Sequence, residues 1–134
     1  MSGSLIDTNV LLDIATADAA WMPWSQGQLG MAAERGAVFI NPIIYAEVSI
    51  RFYEIEELDL ALPADYFHRR PLPWDAAFLA GKCFVRYRRL GGTKTFPLPD
   101  FYIGAHAAVE SLTLLTRDPA RYRTYFPKLT IIAP

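Results

Sequence analysis

Residues 5–11 read Leu-Ile-Asp-Thr-Asn-Val-Leu: two apolar residues, an acid, two small polar residues, then the start of an apolar stripe. Val10, Leu11, Leu12 and Ile14 can line one side of a helix, so the segment spells a short strand, a turn and a helix. Asp7 thereby stands at the carboxyl end of a strand.

The same alternation extends outward. Residues 21–35 carry Trp24, Gln28, Met31 and Ala32 at helical spacing, Gly36 can stop that helix, and Val38-Phe39-Ile40 is a second short buried strand. Asn41 beside Pro42 is an N-cap next to a first-turn proline, predicting one helix through Ile43, Glu47, Ile50, Phe52 and Glu54 toward Leu60, closed by Pro63. His68, Arg69 and Arg70 fall in an expected loop. Pro71 and Pro73 then set off a helix over 75–90 that ends at Gly91-Gly92, and a Thr- and Pro-rich loop follows. Residues 100–111 form a helix with small residues at 104, 105, 107 and 108, which lets a neighbour approach closely and predicts a central position. Residues 112–116 are a strand, Pro119 opens a short helix, and 129–132 close the chain as a strand. Short apolar strands alternating with helices predict the α/β class, a three-layer α/β/α sandwich around a short central parallel sheet, as a single domain over residues 1–134. Chemistry in such folds gathers beyond the carboxyl ends of the strands.

Composition is consistent with this. At 134 residues, 52% hydrophobic and 20% charged, the chain can build one core and is not of the disordered class. Its apolar runs fall short of the roughly 20 residues of a membrane span, and the first residues show neither a basic leader nor a long apolar segment. The expected location is the cytoplasm. A lone cysteine, Cys83, excludes an internal disulfide and a thiolate-rich zinc site, and reads as a small buried apolar group. Net charge is -1, but residues 1–66 hold ten acids and two bases while 67–134 hold four acids and eleven bases. Between Lys82 and Pro99 lie five cations, Lys82, Arg86, Arg88, Arg89 and Lys94, and no acid. That suits a phosphate-bearing partner, or equally a solvated helix face.

Four acids share a destination. Asp7 and Asp118 each follow a strand, so a parallel arrangement puts both at one edge of the sheet, and Asp100 opens a helix whose amino end reaches that edge. Glu47 is flanked by Ile43, Ile44 and Ile50 and points to an apolar face, where an unpaired charge is costly. Taken singly, Asp7, Asp100 and Asp118 could be helix caps, and Glu47 could pair with Arg51 across one exposed turn. Taken together, carboxylates about 4 Å apart repel by about 1 kcal/mol per pair in water and about 4 at an effective dielectric near 20. A cation between them resolves the conflict, and an all-oxygen ligand set selects Mg²⁺ or Mn²⁺. Such an ion activates water against a phosphodiester.

Four segments, Leu5-Ile-Asp-Thr-Asn-Val-Leu11, Asn41-Pro-Ile-Ile-Tyr-Ala-Glu47, Leu98-Pro-Asp-Phe-Tyr-Ile-Gly-Ala-His106 and Leu115-Thr-Arg-Asp118, resemble the PIN-domain nucleases, and more narrowly the toxin half of VapC-type toxin-antitoxin pairs. The resemblance implies that Asp7, Glu47, Asp100 and Asp118 hold one or two divalent ions and carry catalysis, with Asn9 and Thr116 as supporting polar groups. It also implies an RNA substrate cut to leave a 5'-phosphate, a cognate antitoxin threading along an apolar groove, and a homodimer. The candidate antitoxin surface includes Trp21, Trp24, Phe52 and Tyr53, which core burial would explain as well. Arg86, Arg88, Arg89, Lys94 and Arg117 are candidate RNA contacts.

Other residues carry less. His106 lies about 240° around the helix from Asp100, off its face. Gly91-Gly92-Thr93-Lys94 lacks the spacing of a phosphate-binding P-loop. An aspartyl-phosphate-forming phosphatase would need a second Asp where Asn9 stands. A PIN fold that has lost activity and only docks RNA or protein is the other alternative.

Overall fold

Apolar triplets separated by polar punctuation can make only short strands, and the computed structural model, which describes residues 3–134, is built from them. In chain order the elements are β1 (Ser4–Ile6), α1 (Thr8–Ala15), α2 (Met22–Arg35), β2 (Val38–Ile40), α3 (Pro42–Ser49) and α4 (Ile55–Ala61). There follow β3 (Phe67–Arg69), α5 (Trp74–Arg89), α6 (Pro99–Val109), β4 (Thr113–Leu115), α7 (Ala120–Tyr125) and β5 (Ile131–Ile132). The strands form one sheet in the order β3-β2-β1-β4-β5, and every pairing is parallel. Leu5 sits between Phe39 and Leu114 in register. The strand most buried is thus the one that delivers Asp7. Among the described residues no helix is long and apolar enough to cross a membrane.

The expected central helix is α6, whose Phe101, Ile103, Gly104, Ala105, His106 and Ala107 are all buried. Gly104 has no room for a side chain because the Phe126 ring, at the end of α7, lies against its Cα. Cys83 is buried and free.

Two expectations are corrected. The single helix from Ile43 toward Leu60 is two helices, α3 and α4. Ser49 turns its hydroxyl back onto the Ala46 carbonyl at 2.6 Å, and Ile50, which the apolar spacing placed on the inner face, is 80% exposed. Glu54 then adopts extended backbone and starts α4 afresh, with Glu56 and Glu57 at its positive end. His68 and Arg69 do not lie in a loop: with Phe67 they form the edge strand β3 beside β2. Only Phe67 is buried there, so the segment lacks the apolar run by which an inner strand is recognised.

Candidate active site

Parallel strands place all their carboxyl ends on one edge, and Asp7 is the residue that β1 delivers there. Its backbone is extended, and its side chain caps α1, Oδ1 accepting the Thr8 N–H at 2.8 Å. Capping engages one oxygen only. Oδ2 accepts the Thr116 hydroxyl at 2.8 Å, the Tyr122 hydroxyl at 2.9 Å and the Asn9 amide at 3.3 Å. Asp7 is 4% exposed, and burial pushes its carboxyl up to about 6, against the pull of the Thr116 hydroxyl, with the charge of Asp100 pushing the same way as burial.

Asp100 stands in the first turn of α6. Its Oδ1 accepts from the Tyr122 hydroxyl at 3.3 Å and its Oδ2 is 3.5 Å from Arg121 Nη1. Burial raises its pKa, opposed by the Arg121 charge and the Tyr122 bond and reinforced by the charge of Asp118. Asp118 is exposed beyond β4; Oδ2 accepts the Asn9 amide at 3.4 Å, while its own N–H donates to Thr116 Oγ1 at 3.1 Å. Neither Asp100 nor Asp118 caps a helix: Leu98 and Pro119 occupy those positions. Glu47, half-buried in α3, accepts the Thr8 hydroxyl at 2.6 Å. Burial raises its pKa, as does the charge of Asp100. Among the described residues Glu47 makes no ion pair with Arg51.

The four acids, Asn9 and Thr116 therefore share one sheet edge. Asn9 is the hub: its amide reaches Asp7, Thr116 and Asp118, and its carbonyl oxygen accepts the Arg117 N–H at 3.0 Å. Three contributors escaped the sequence reading: Thr8, Arg121 and Tyr122. Tyr122 is 1% exposed, and because its partners Asp7 and Asp100 lie far from it along the chain no spacing signalled it.

The basic candidates separate. Arg117 clamps the buried Asp13 through Nε at 2.9 Å and Nη2 at 3.0 Å, lies 5.2 Å from the Trp21 ring centre, and so spends its charge inside the fold rather than on solvent. Ser25 adds a hydroxyl to the same carboxylate at 2.7 Å. Arg86, Arg88, Arg89 and Lys94 are exposed. Arg86 donates to the Thr124 carbonyl and Arg88 to the Lys94 carbonyl, contacts that leave the cationic charge uncancelled. The Tyr87 hydroxyl accepts the N–H groups of Thr93 and Lys94 at 3.2 Å each, tying the loop to α5. His106 is sealed in the core between the Asn41 amide at 3.0 Å and Glu110 at 2.9 Å.

The donor set fits a hard divalent cation. It is all oxygen, burial and, to a lesser degree, one another's charge favour the neutral form of Asp7, Glu47 and Asp100, and among the described residues Arg121 is the one cation paired with any of the four acids. Among the described residues no three His, Cys, Asp or Glu side chains converge as a ready-made metal shell, and an ion held by these acids would complete its coordination with waters.

A family model described as PIN domain matches residues 4–127. No curated protein matches by sequence. Among solved structures, VapBC2 from Rickettsia felis, bound to a promoter DNA fragment, matches with TM-score 0.74 and 17% identity over 98% of each chain. VapBC-1 from nontypeable Haemophilus influenzae matches with TM-score 0.72 and 14% identity over 98% of this chain and 97% of that one. DNA-bound VapBC from Salmonella typhimurium gives 0.69 and 18%, over 99% and 98%. At such identities the likeness shows the fold.

Proposed function

Because the chain belongs to the PIN-domain family, we propose that it is a metal-dependent endoribonuclease, the toxin of a VapBC-type toxin-antitoxin pair, with all 134 residues forming one PIN domain. The observation that carries this is the gathering of Asp7, Glu47, Asp100 and Asp118 on one sheet edge, with burial lifting the first three above the usual carboxylate range. Asp7, Asp100, Asp118 and Glu47 would hold Mg²⁺ or Mn²⁺. When bound, such an ion polarises the phosphodiester and makes a water acidic enough to attack.

The chain's own residues supply the rest. Thr8 donates to Glu47 Oε1, which leaves Oε2 to take the proton of the attacking water. Asn9 and Thr116 orient Asp7 and Asp118. Arg121, 45% exposed beside Asp100, is placed to meet the phosphate, and the exposed Arg86, Arg88, Arg89 and Lys94 extend a basic path for the RNA. Arg117 is not part of that path.

A toxin-antitoxin complex from Klebsiella pneumoniae is among the structures that share this fold, and a cognate antitoxin is the proposed partner here. A groove of 520 Å³ between the first four helices, lined by Leu11, Ile14, Leu29, Val48, Leu62 and Phe67 among others, is the apolar seat for it. The surface expected around Trp21, Trp24, Phe52 and Tyr53 is the alternative seat: the two indoles pack edge to face on each other, Phe52 packs against the core and Tyr53 is fully exposed. A homodimer in the cytoplasm completes the proposal.

The test is cleavage of total RNA with mapping of new 5' ends. Cleavage is expected to need Mg²⁺ or Mn²⁺, to stop in EDTA, and to vanish in Asp7→Asn and Asp100→Asn variants that stay folded. Undiminished cleavage by both variants refutes the assignment. Beryllium fluoride should label no aspartate, since water and not a carboxylate attacks.

A further inference from the structure

We propose that the Tyr122 hydroxyl is a positioning group that holds Asp7 and Asp100 as a pair facing the metal, an inference that rests on the metal-dependent reading of the site. The phenol is buried to 1% exposure, so its O–H must find a partner inside the protein. It has two: Asp7 Oδ2 at 2.9 Å and Asp100 Oδ1 at 3.3 Å. One proton is thus shared between two carboxylates that arrive from unrelated elements, the end of β1 and the first turn of α6. Tyr122 belongs to a third, α7, which follows directly from Asp118. The hydroxyl is therefore a junction through which three of the four acids are set relative to one another.

Each acid has other support, but among the described residues no other side chain bonds both members of this pair. Asp7 is oriented by Thr8, Asn9 and Thr116, none of which bonds Asp100. Asp100 has Arg121 at 3.5 Å, a long exposed side chain that fixes no geometry. Without the phenol, Asp7 and Asp100 would face each other with like charge and no shared donor, and Asp100 would be free to turn toward Arg121. Partners that orient metal-binding carboxylates typically change metal affinity or activity by about 10–100-fold when removed.

Tyr122→Phe deletes the hydroxyl and keeps the ring. The expected result is a Kd for Mn²⁺, measured by calorimetry or by electron paramagnetic resonance on the RNA-free protein, weakened about 10-fold or more. In turnover kcat should fall while KM for RNA holds, because the phenol is too buried to touch substrate. A role confined to packing would lower the melting temperature in EDTA and leave the Mn²⁺ Kd and kcat unchanged, and that result overturns the proposal, as does tighter Mn²⁺ binding. If Tyr122→Phe fails to fold, Phe126→Leu, which loosens the same helix and keeps the hydroxyl, takes its place: an Mn²⁺ loss there as large as in Asp7→Asn would show that the packing of α7 alone sets the affinity and would overturn the proposal. Asp7→Asn runs alongside: loss of Mn²⁺ there with none in Tyr122→Phe removes the tyrosine role alone, whereas full Mn²⁺ binding by Asp7→Asn removes the metal site itself.

Discussion

Asp7 does two jobs whose electrostatics conflict. As a cap it needs only one oxygen on the Thr8 N–H, a task Asn performs equally well; as a ligand it needs a negative charge, which burial resists. Its pKa is raised from 3.8 to about 6, so the folded, metal-free chain holds a proton there that the unfolded chain releases. The linked stability is full below pH 3.8 and is lost as pH rises through about 6, an amount on the order of 3 kcal/mol. Asp7→Asn should therefore melt higher than the natural protein in EDTA at mildly alkaline pH and show a flatter fall across that window. Some slope remains, because Glu47 and Asp100 are shifted in the same direction. A lower melting temperature for the variant would mean that the protein already compensates the carboxylate charge. Manganese reverses the order: it should raise the melting temperature of the natural protein and not of the variant, with an affinity that grows as pH passes about 6.

At the scale of elements, α6 and α7 must stay in contact for Asp100 and Tyr122 to meet, and Gly104 lets them. A Cβ at Gly104 would run into the Phe126 ring, which is 6% exposed and has little space to turn. Gly104→Ala gains about 1 kcal/mol of helix propensity against an overpacking cost of about 1–3 kcal/mol. The net expectation is a modestly less stable protein whose Mn²⁺ affinity falls further than its melting temperature suggests, read by calorimetry; a more stable variant with unchanged affinity would show that the two helices are not so tightly apposed. The small residues of α6 announced that closeness in the sequence, just as strand ends announced Asp7 and Asp118. What stayed hidden has a common cause. Tyr122, Arg121 and Thr8 act through space on residues far along the chain, and spacing records only neighbours on the same element. The break after α3 hid behind a helical repeat of isoleucines, one of which, Ile50, faces solvent, and β3 hid because an edge strand with one buried side chain has no apolar signature.

Over the whole molecule, a net charge of -1 would neither attract nor repel RNA strongly, so binding must come from where the cations are and which of them are already cancelled. Arg69 is bound to Asp59 at 2.8 Å, Arg70 to Glu110 at 3.0 Å and Arg117 to Asp13 at 2.9 Å. Among the described residues Arg86, Arg88, Arg89 and Lys94 have no acid partner, and they lie together at the end of α5 and in the loop that Tyr87 anchors. Each such cation placed on a phosphate releases a counterion, which lowers the slope of log affinity against log salt by about 0.7 for a single strand. Replacing Arg86, Arg88 and Arg89 with Gln in an Asp100→Asn background, which prevents cleavage, should flatten that slope by roughly 2. Arg69→Gln, removing a charge already neutralised by Asp59, should leave it nearly unchanged. Fluorescence anisotropy of a labelled RNA over a salt series reads both. Equal slopes for the triple variant and its parent would return the basic stretch to a solvated helix face, and a large effect from Arg69 would move the RNA path toward the end of β3.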